Sequence, residues 1–207
     1  MNPNIHDMAA RLLEAAQGHE RFVVALAGPP AAGKSFLSEW LCREINERQP
    51  GIAAVVPMDG YHFDNAVLES QGLVPIKGAP ETFDADGLHQ DLMRIRRADK
   101  SVAVPVFDRP LDLARAGARL ITLEHRIVIV EGNYLLLNQA PWPALNELFD
   151  MTLLLEVPDE ILEERLIQRW LDMGQDRRAA YDKAYHKDMR NARLIKAESI
   201  EPDLRWS

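Results

Sequence analysis

The octapeptide Gly28-Pro29-Pro30-Ala31-Ala32-Gly33-Lys34-Ser35 carries its functional groups in an order that suits phosphate. Gly28 and Gly33 keep side chains away where successive backbone N–H groups must turn toward phosphate oxygens. Lys34 adds a positive charge for the β and γ phosphates, and the Ser35 hydroxyl can ligate Mg²⁺. The spacing is that of the phosphate-binding loop, G-x-x-x-x-G-K-[ST]. Gly28 through Ser35, with Phe36 behind them, form the expected nucleotide-binding set. A Gly- and Ala-rich turn between strand and helix is the plain structural alternative.

A metal-bearing acid is expected at the end of another core strand. Glu131, after the run Ile127–Val130, is the first candidate and would share the metal with Ser35; Asp59, after Val55–Met58, is the second. Both end apolar runs, at the edge where open α/β sheets bind ligands. An N-cap or a solvated strand end is the alternative for Glu131.

The phosphate can go to water or to a small molecule. A guanine-specifying N-K-x-D segment is absent, and Asp84-Ala85-Asp86-Gly87 follows no apolar strand, so a signalling GTPase is not expected. A small-molecule kinase needs a base beside its acceptor and a lid that brings cations over the phosphates. Asp59 can accept the proton of an attacking hydroxyl, and Gly60 leaves room beside the backbone. Tyr61, His62, Phe63, Phe83 and Phe107 are candidate pocket walls. Asp108, Arg109, Lys77 and Asn133 are candidate polar contacts for the acceptor. His62 is otherwise a loop histidine, Phe83 and Phe107 core, and Lys77 a solvated charge. Arg165 and Arg169, four apart on one helix face, are the lid candidates. Arg177 and Arg178 follow them. Pairing to Glu163, Glu164 or Asp172 is the alternative for these arginines.

The elements that must position these residues are legible from periodicity. Residues 21–28, 52–60, the start of 126–137 and 151–158 are short apolar runs, the pattern of parallel strands buried on both faces. A weaker strand is expected near 193–200. Apolar spacing predicts helices over 6–17, 34–48, 84–98, 159–173 and 176–190. Residues 102–109 hold Pro105, which suits an edge strand or an excursion. Residues 61–83 read as irregular. Strands alternating with helices argue for a parallel α/β sheet. The chain reads as one domain over 1–207, with an N-terminal helix in 1–20, an acceptor-site excursion over 60–125 and a lid region over 160–192.

The composition narrows the partners. At 207 residues and 47% hydrophobic, the chain is long enough to bury one ordinary core. A net charge of −8 argues against nucleic acid and anionic membranes. Cys42 is the single cysteine, so no internal disulfide is expected. The first 18 residues lack the basic start and apolar core of an export signal. No apolar run is long enough to span a bilayer. A cytoplasmic location is the default expectation.

Several segments together resemble the superfamily of uridine kinases, phosphoribulokinases and bacterial type I pantothenate kinases. The likeness runs from about Arg21 to the last helices. Residues 58–73, "MDGYHFDNAVLESQGL", and "KGAPETFD" at 77–84 are similar to pantothenate kinase segments with D-G-F and K-G-x-P-E-[ST]-[YF]-D elements. "VPVFDR" and "VEGNYLLL" are similar to the superfamily's acceptor-site strand and its E-G strand. The chain also resembles short bacterial proteins labelled nucleoside kinase-like or fructose transport system kinases. The resemblance implies a P-loop NTPase fold, three-layer α/β/α, with a five-stranded parallel sheet and a helical lid. It implies ATP with Mg²⁺, the base at Asp59, the metal acid at Glu131, lid arginines at Arg165 and Arg169, and an acceptor site around Phe107–Arg109. A homodimer is compatible with it. Pantothenate kinases carry Tyr-x-His where this chain has Phe107, Asp108 and Arg109. The expected acceptor is therefore a sugar or nucleoside-like hydroxyl. The alternative is an ATP-binding regulator linked to sugar transport that turns nothing over.

Overall fold

The computed structural model describes residues 4–207. Residues 1–3, the start of the segment read above as no export signal, lie outside it. Five strands form one parallel sheet: β1 (Phe22–Ala27), β2 (Ala53–Pro57), β5 (Ile127–Gly132), β6 (Met151–Leu155) and β7 (Leu204–Trp206), in the order β2-β5-β1-β6-β7. Between them in the chain, β3 (Val102–Asp108) and β4 (Leu113–Ile121) form a separate antiparallel hairpin.

The central strands are apolar throughout because both faces are covered. Phe22, Val24 and Leu26 point to one core, with α1 (Ile5–Ala15), α2 (Lys34–Arg48) and α5 (Asp159–Asp172). Val23, Ala25 and Ala27 point to the other, with α4 (Ala85–Arg97), Val102 and Val104 of the hairpin, and the Tyr134–Leu137 turn. Each fully buried Val or Leu contributes roughly 1.5–3 kcal/mol. The layers are helix, sheet, helix, the three-layer α/β arrangement expected. Side chains start the helices locally: Asn4 accepts from the Asp7 N–H before α1, and Asp84 from the Gly87 N–H before α4.

Three sequence expectations change. The fifth strand is not at 193–200. That segment lies mostly in α7 (Met189–Glu198), whose buried Ala192 and Ile195 follow helical spacing, and the strand is the later triplet Leu204–Trp206. Residues 61–83 are not wholly irregular: α3 (Asn65–Gln71) lies there, N-capped by Asp64. The helix expected over 176–190 is α6 (Arg177–Lys183) followed by a π turn at Ala184–Asp188 and then α7. Among the described residues no helix is long and apolar enough to cross a membrane.

Candidate active site

The phosphate-binding loop leaves the carboxyl end of the central strand β1 and enters α2. Gly33 caps α2 in the left-handed region (φ 96°), with no side chain bonded to the helix end. The first N–H groups of a helix have no partner within it, so this end is open to an anion. Ala31 also takes a left-handed conformation (φ 61°), uncommon for a residue with a Cβ. A Cβ on Gly28 would stand 3.0 Å from the carbonyl oxygen of Leu155, so glycine lets the loop press against β6. Phe36 is exposed and packs edge-on against Trp40.

Lys34 is buried and donates to the Pro29 carbonyl at 2.8 Å. Burial lowers its pKa to about 8, against the opposing pull of Glu131 and Asp59; Arg109 and Arg169 push the same way as burial. The ammonium thus feels four charged groups from four parts of the chain. Glu131, on β5, pairs in register with Leu26 of β1 and Pro57 of β2. Its Oε1 accepts from the Ser35 hydroxyl at 3.1 Å. Burial, then the charge of Asp59, raises its pKa to about 7. Gly132, beside it, has no Cβ to collide with Met58.

Asp59 stands two residues past β2, in a 3₁₀ turn over Met58–Tyr61. Its Oδ2 accepts from Arg109 Nη2 at 2.7 Å. Gly60 does not make room for substrate, as the sequence suggested. A Cβ there would collide with the carbonyl oxygen of Pro105, so glycine lets the hairpin close on this turn. His62 is sandwiched between Phe83 and Phe107, with ring centres 4.0 and 4.7 Å away. Its Nδ1 lies 2.8 Å from the Asp59 carbonyl, which only accepts, so the proton is assigned to Nδ1. Burial lowers the His62 pKa, with Lys77 and Arg109 adding to it, against the pull of Asp59.

The remaining candidates divide. Tyr61 and Phe83 are buried core rather than pocket wall: the Tyr61 hydroxyl donates to Asp91, and Phe83 packs against Tyr134 and Trp142. Asp108 is spent within the hairpin, accepting from the Leu111 N–H and pairing with Arg115. Lys77 donates to Asn65 at 2.7 Å, pairs with Asp112 at 2.9 Å and lies over the Phe107 ring at 5.3 Å. That staple uses Asn65 and Asp112, whose pairing with Lys77 the sequence did not suggest; Asp112 falls in a hairpin turn with φ 52°. Asn133 is half-buried just past β5. Arg165 donates to the Ala31 carbonyl at 3.2 Å, so α5 touches the loop. Arg169 is exposed, its guanidinium 5.7 Å from the centre of the Trp170 ring. Among the described residues, neither arginine pairs with an acid.

One carboxylate and one hydroxyl at the loop fit magnesium, which keeps several waters and takes few protein ligands beside substrate phosphates. A cluster of three or more metal-ligating side chains is absent among the described residues. The buried, proton-retaining Glu131 is the kind of carboxylate that a dication would ionise.

No established family profile matches the chain. It is 36% identical over 180 residues to "Uncharacterized protein YggC" of Escherichia coli, covering 86% of this chain and 73% of that one. It is 31% identical over 203 residues to "Putative uridine kinase C227.14" of Schizosaccharomyces pombe, covering 94% and 86%. Among solved structures, a "putative fructose transport system kinase" from Silicibacter sp. TM1040 superposes with a TM-score of 0.91 at 42% identity, covering 99% of each chain.

Proposed function

Because the chain belongs to the uridine kinase-like family of P-loop kinases, we propose that it transfers the γ-phosphoryl group of ATP to a hydroxyl of a small metabolite, in one kinase domain. The observation that carries this reading is the Ser35–Glu131 hydrogen bond at 3.1 Å, which joins the phosphate loop beside the buried Lys34 to the strand-end acid of β5. The loop, Lys34 and the α2 N-terminus hold the nucleotide phosphates. Ser35 and Glu131 hold magnesium, which when bound neutralises phosphate charge. Asp59 takes the proton of the acceptor hydroxyl as its oxygen bonds to the γ-phosphorus and the bond to the bridging oxygen breaks, releasing ADP. Arg109 orients the Asp59 carboxylate. Arg165 and Arg169 close over the phosphates.

The acceptor in this reading is a sugar or nucleoside-like molecule. A site built from Asp59, His62 and Arg109 rewards hydroxyls and rejects analogues lacking them. The test is an enzyme-linked ADP-release assay with pantothenate, uridine, cytidine, fructose and ribose at matched concentrations. Turnover of a sugar or nucleoside is expected; rapid turnover of pantothenate alone would overturn the acceptor class. One observation favours a second reading, an ATP-binding regulator tied to sugar transport: the Asp59 carboxylate is already engaged by Arg109. Nucleotide binding that responds to sugars with no ADP release across the panel would select it.

A further inference from the structure

A groove of about 1020 Å³ opens between residues 75–81 and the helices α6 and α7. Five basic side chains line it: Lys183, His186, Lys187, Arg190 and Arg193. Among the described residues none of the five stands within ion-pair distance of a carboxylate. Lys183 bonds instead to the neutral Gln175, and Arg193 lies over the Tyr185 ring. The groove's acids, Glu81, Asp182 and Glu198, are exposed and take none of these cations.

Around Lys183 and Lys187 the imbalance sharpens. Lys183 and Lys187 stand 4.5 and 5.8 Å from the centre of the Trp170 ring, which Arg169 also approaches. The buried acid nearby, Asp188, accepts from Trp170 Nε1 at 2.6 Å through Oδ2 and forms no ion pair with any of them. Three like charges around one ring repel, and among the described residues none of the three stands within ion-pair distance of a carboxylate. Burial lowers the Lys187 pKa, with Lys183 and Arg169 adding to it, against the pull of Asp188 and Asp112. The chain reaches this spot through the π turn Ala184–Asp188, a wide turn frequent at functional sites.

The groove adjoins the acceptor loop. Asn191 Nδ2 donates to the Gly78 carbonyl at 3.2 Å, next to Lys77. Lys77 itself is committed to Asn65 and Asp112, so it is not the free cation of this region.

Resting on the kinase reading above, we propose that the sugar or nucleoside-like acceptor carries an anionic group, a phosphate or a carboxylate, bound by Lys187 and Lys183 of this groove. Such a group supplies charge-assisted acceptors to both ammoniums and removes their mutual repulsion. Lys187 thereby discriminates charged acceptors from neutral ones of the same hydroxyl pattern.

The test uses matched pairs: ribose with ribose 5-phosphate for a phosphate, and glycerol with glycerate for a carboxylate. ADP release is measured at saturating ATP and magnesium, and the same compounds are titrated calorimetrically without nucleotide. The charged member of at least one pair is expected to have the lower KM and Kd, and the pair that responds identifies the anion. Lys187→Gln is expected to raise KM for that compound about tenfold or more and to narrow the gap to its neutral partner. Lys187→Arg, which keeps the charge, should retain most of the preference. Equal use of charged and neutral members, with Lys187→Gln without effect, overturns the inference and leaves the kinase reading intact. A change confined to the KM for ATP also overturns it, because Lys187 would then serve the nucleotide. Lys187-dependent binding of a charged compound without any ADP release supports the anion site and overturns the kinase reading.

Discussion

Arg109 Nη2 and Asp59 Oδ2 meet at 2.7 Å across fifty residues of sequence, one from the hairpin and one from the turn after β2. The bond orients the carboxylate through one oxygen. Among the described residues, Oδ1 has no partner and is open to a hydroxyl. Asp59→Asn is therefore expected to lower kcat by about 10²-fold or more, the usual scale for a lost general base, with ATP affinity held within a few-fold. Steady-state kinetics beside calorimetric ATP titration checks this. A variant that loses ATP binding while its single-turnover rate survives would assign Asp59 to the nucleotide instead.

Lys34 is expected to act on binding. Its ammonium is held by the Pro29 carbonyl beside the helix N-terminus, where it meets phosphate. Lys34→Ala should weaken Mg-ATP binding about 10- to 100-fold, the worth of a lost charge-assisted hydrogen bond. Circular dichroism should show the same secondary structure. Unchanged ATP affinity together with unchanged turnover would remove the loop assignment.

Glu131 gives a pH-dependent signal in protein free of nucleotide and metal. Its pKa is raised from 4.5 to about 7, so the folded chain keeps a proton that the unfolded chain loses between those values. Its contribution to stability is therefore greatest below pH 4.5 and falls as pH rises through about 7. Glu131→Gln cannot ionise. It should melt above the parent at pH 8 by a margin of a few degrees that shrinks toward pH 5. Parallel melting profiles for the two proteins across that range would refute the placement of the carboxyl.

Gly60 tests the seat of the hairpin. In Gly60→Ala the new methyl meets backbone, the Pro105 carbonyl, which no rotamer change relieves. A loss of about 1–3 kcal/mol is expected, the range for overpacking. In Gly132→Ala the methyl meets Met58 Cβ, which its backbone holds in place, so a loss of similar size is expected. Chemical denaturation measures both; an unchanged Gly60→Ala would mean that the hairpin yields without cost.

Much of this was legible because it is periodic or local. The strands β1, β2, β5 and β6 announce themselves as apolar runs, and the loop by its glycines and lysine. The hairpin strand β4, Leu113–Ile121, gives no such signal, since it is Arg-bearing and largely exposed. The fifth strand escaped for another reason: three residues are too few to show alternation, while Ala192 and Ile195 nearby offered an apolar pattern that belongs to a helix. Within the site, Asp59 and Glu131 are readable as strand-end acids. The Arg109 pairing, the Lys77 staple and the cations around Trp170 depend on long-range approach, which residue types do not encode by themselves.

The central strand has a consequence for the order in which the molecule assembles. β1 is flanked by β5 and β6, with Phe22 opposite Ile127 and Val24 opposite Met151. A ribosome must therefore extrude about three-quarters of the chain before the strand that aims the phosphate loop has both its neighbours. Closing loops of that span is entropically slow. The loop lies early in the message yet becomes competent late. Protection by nucleotide would thus serve as a timer for the last stage of folding, silent on every nascent chain that ends before β6.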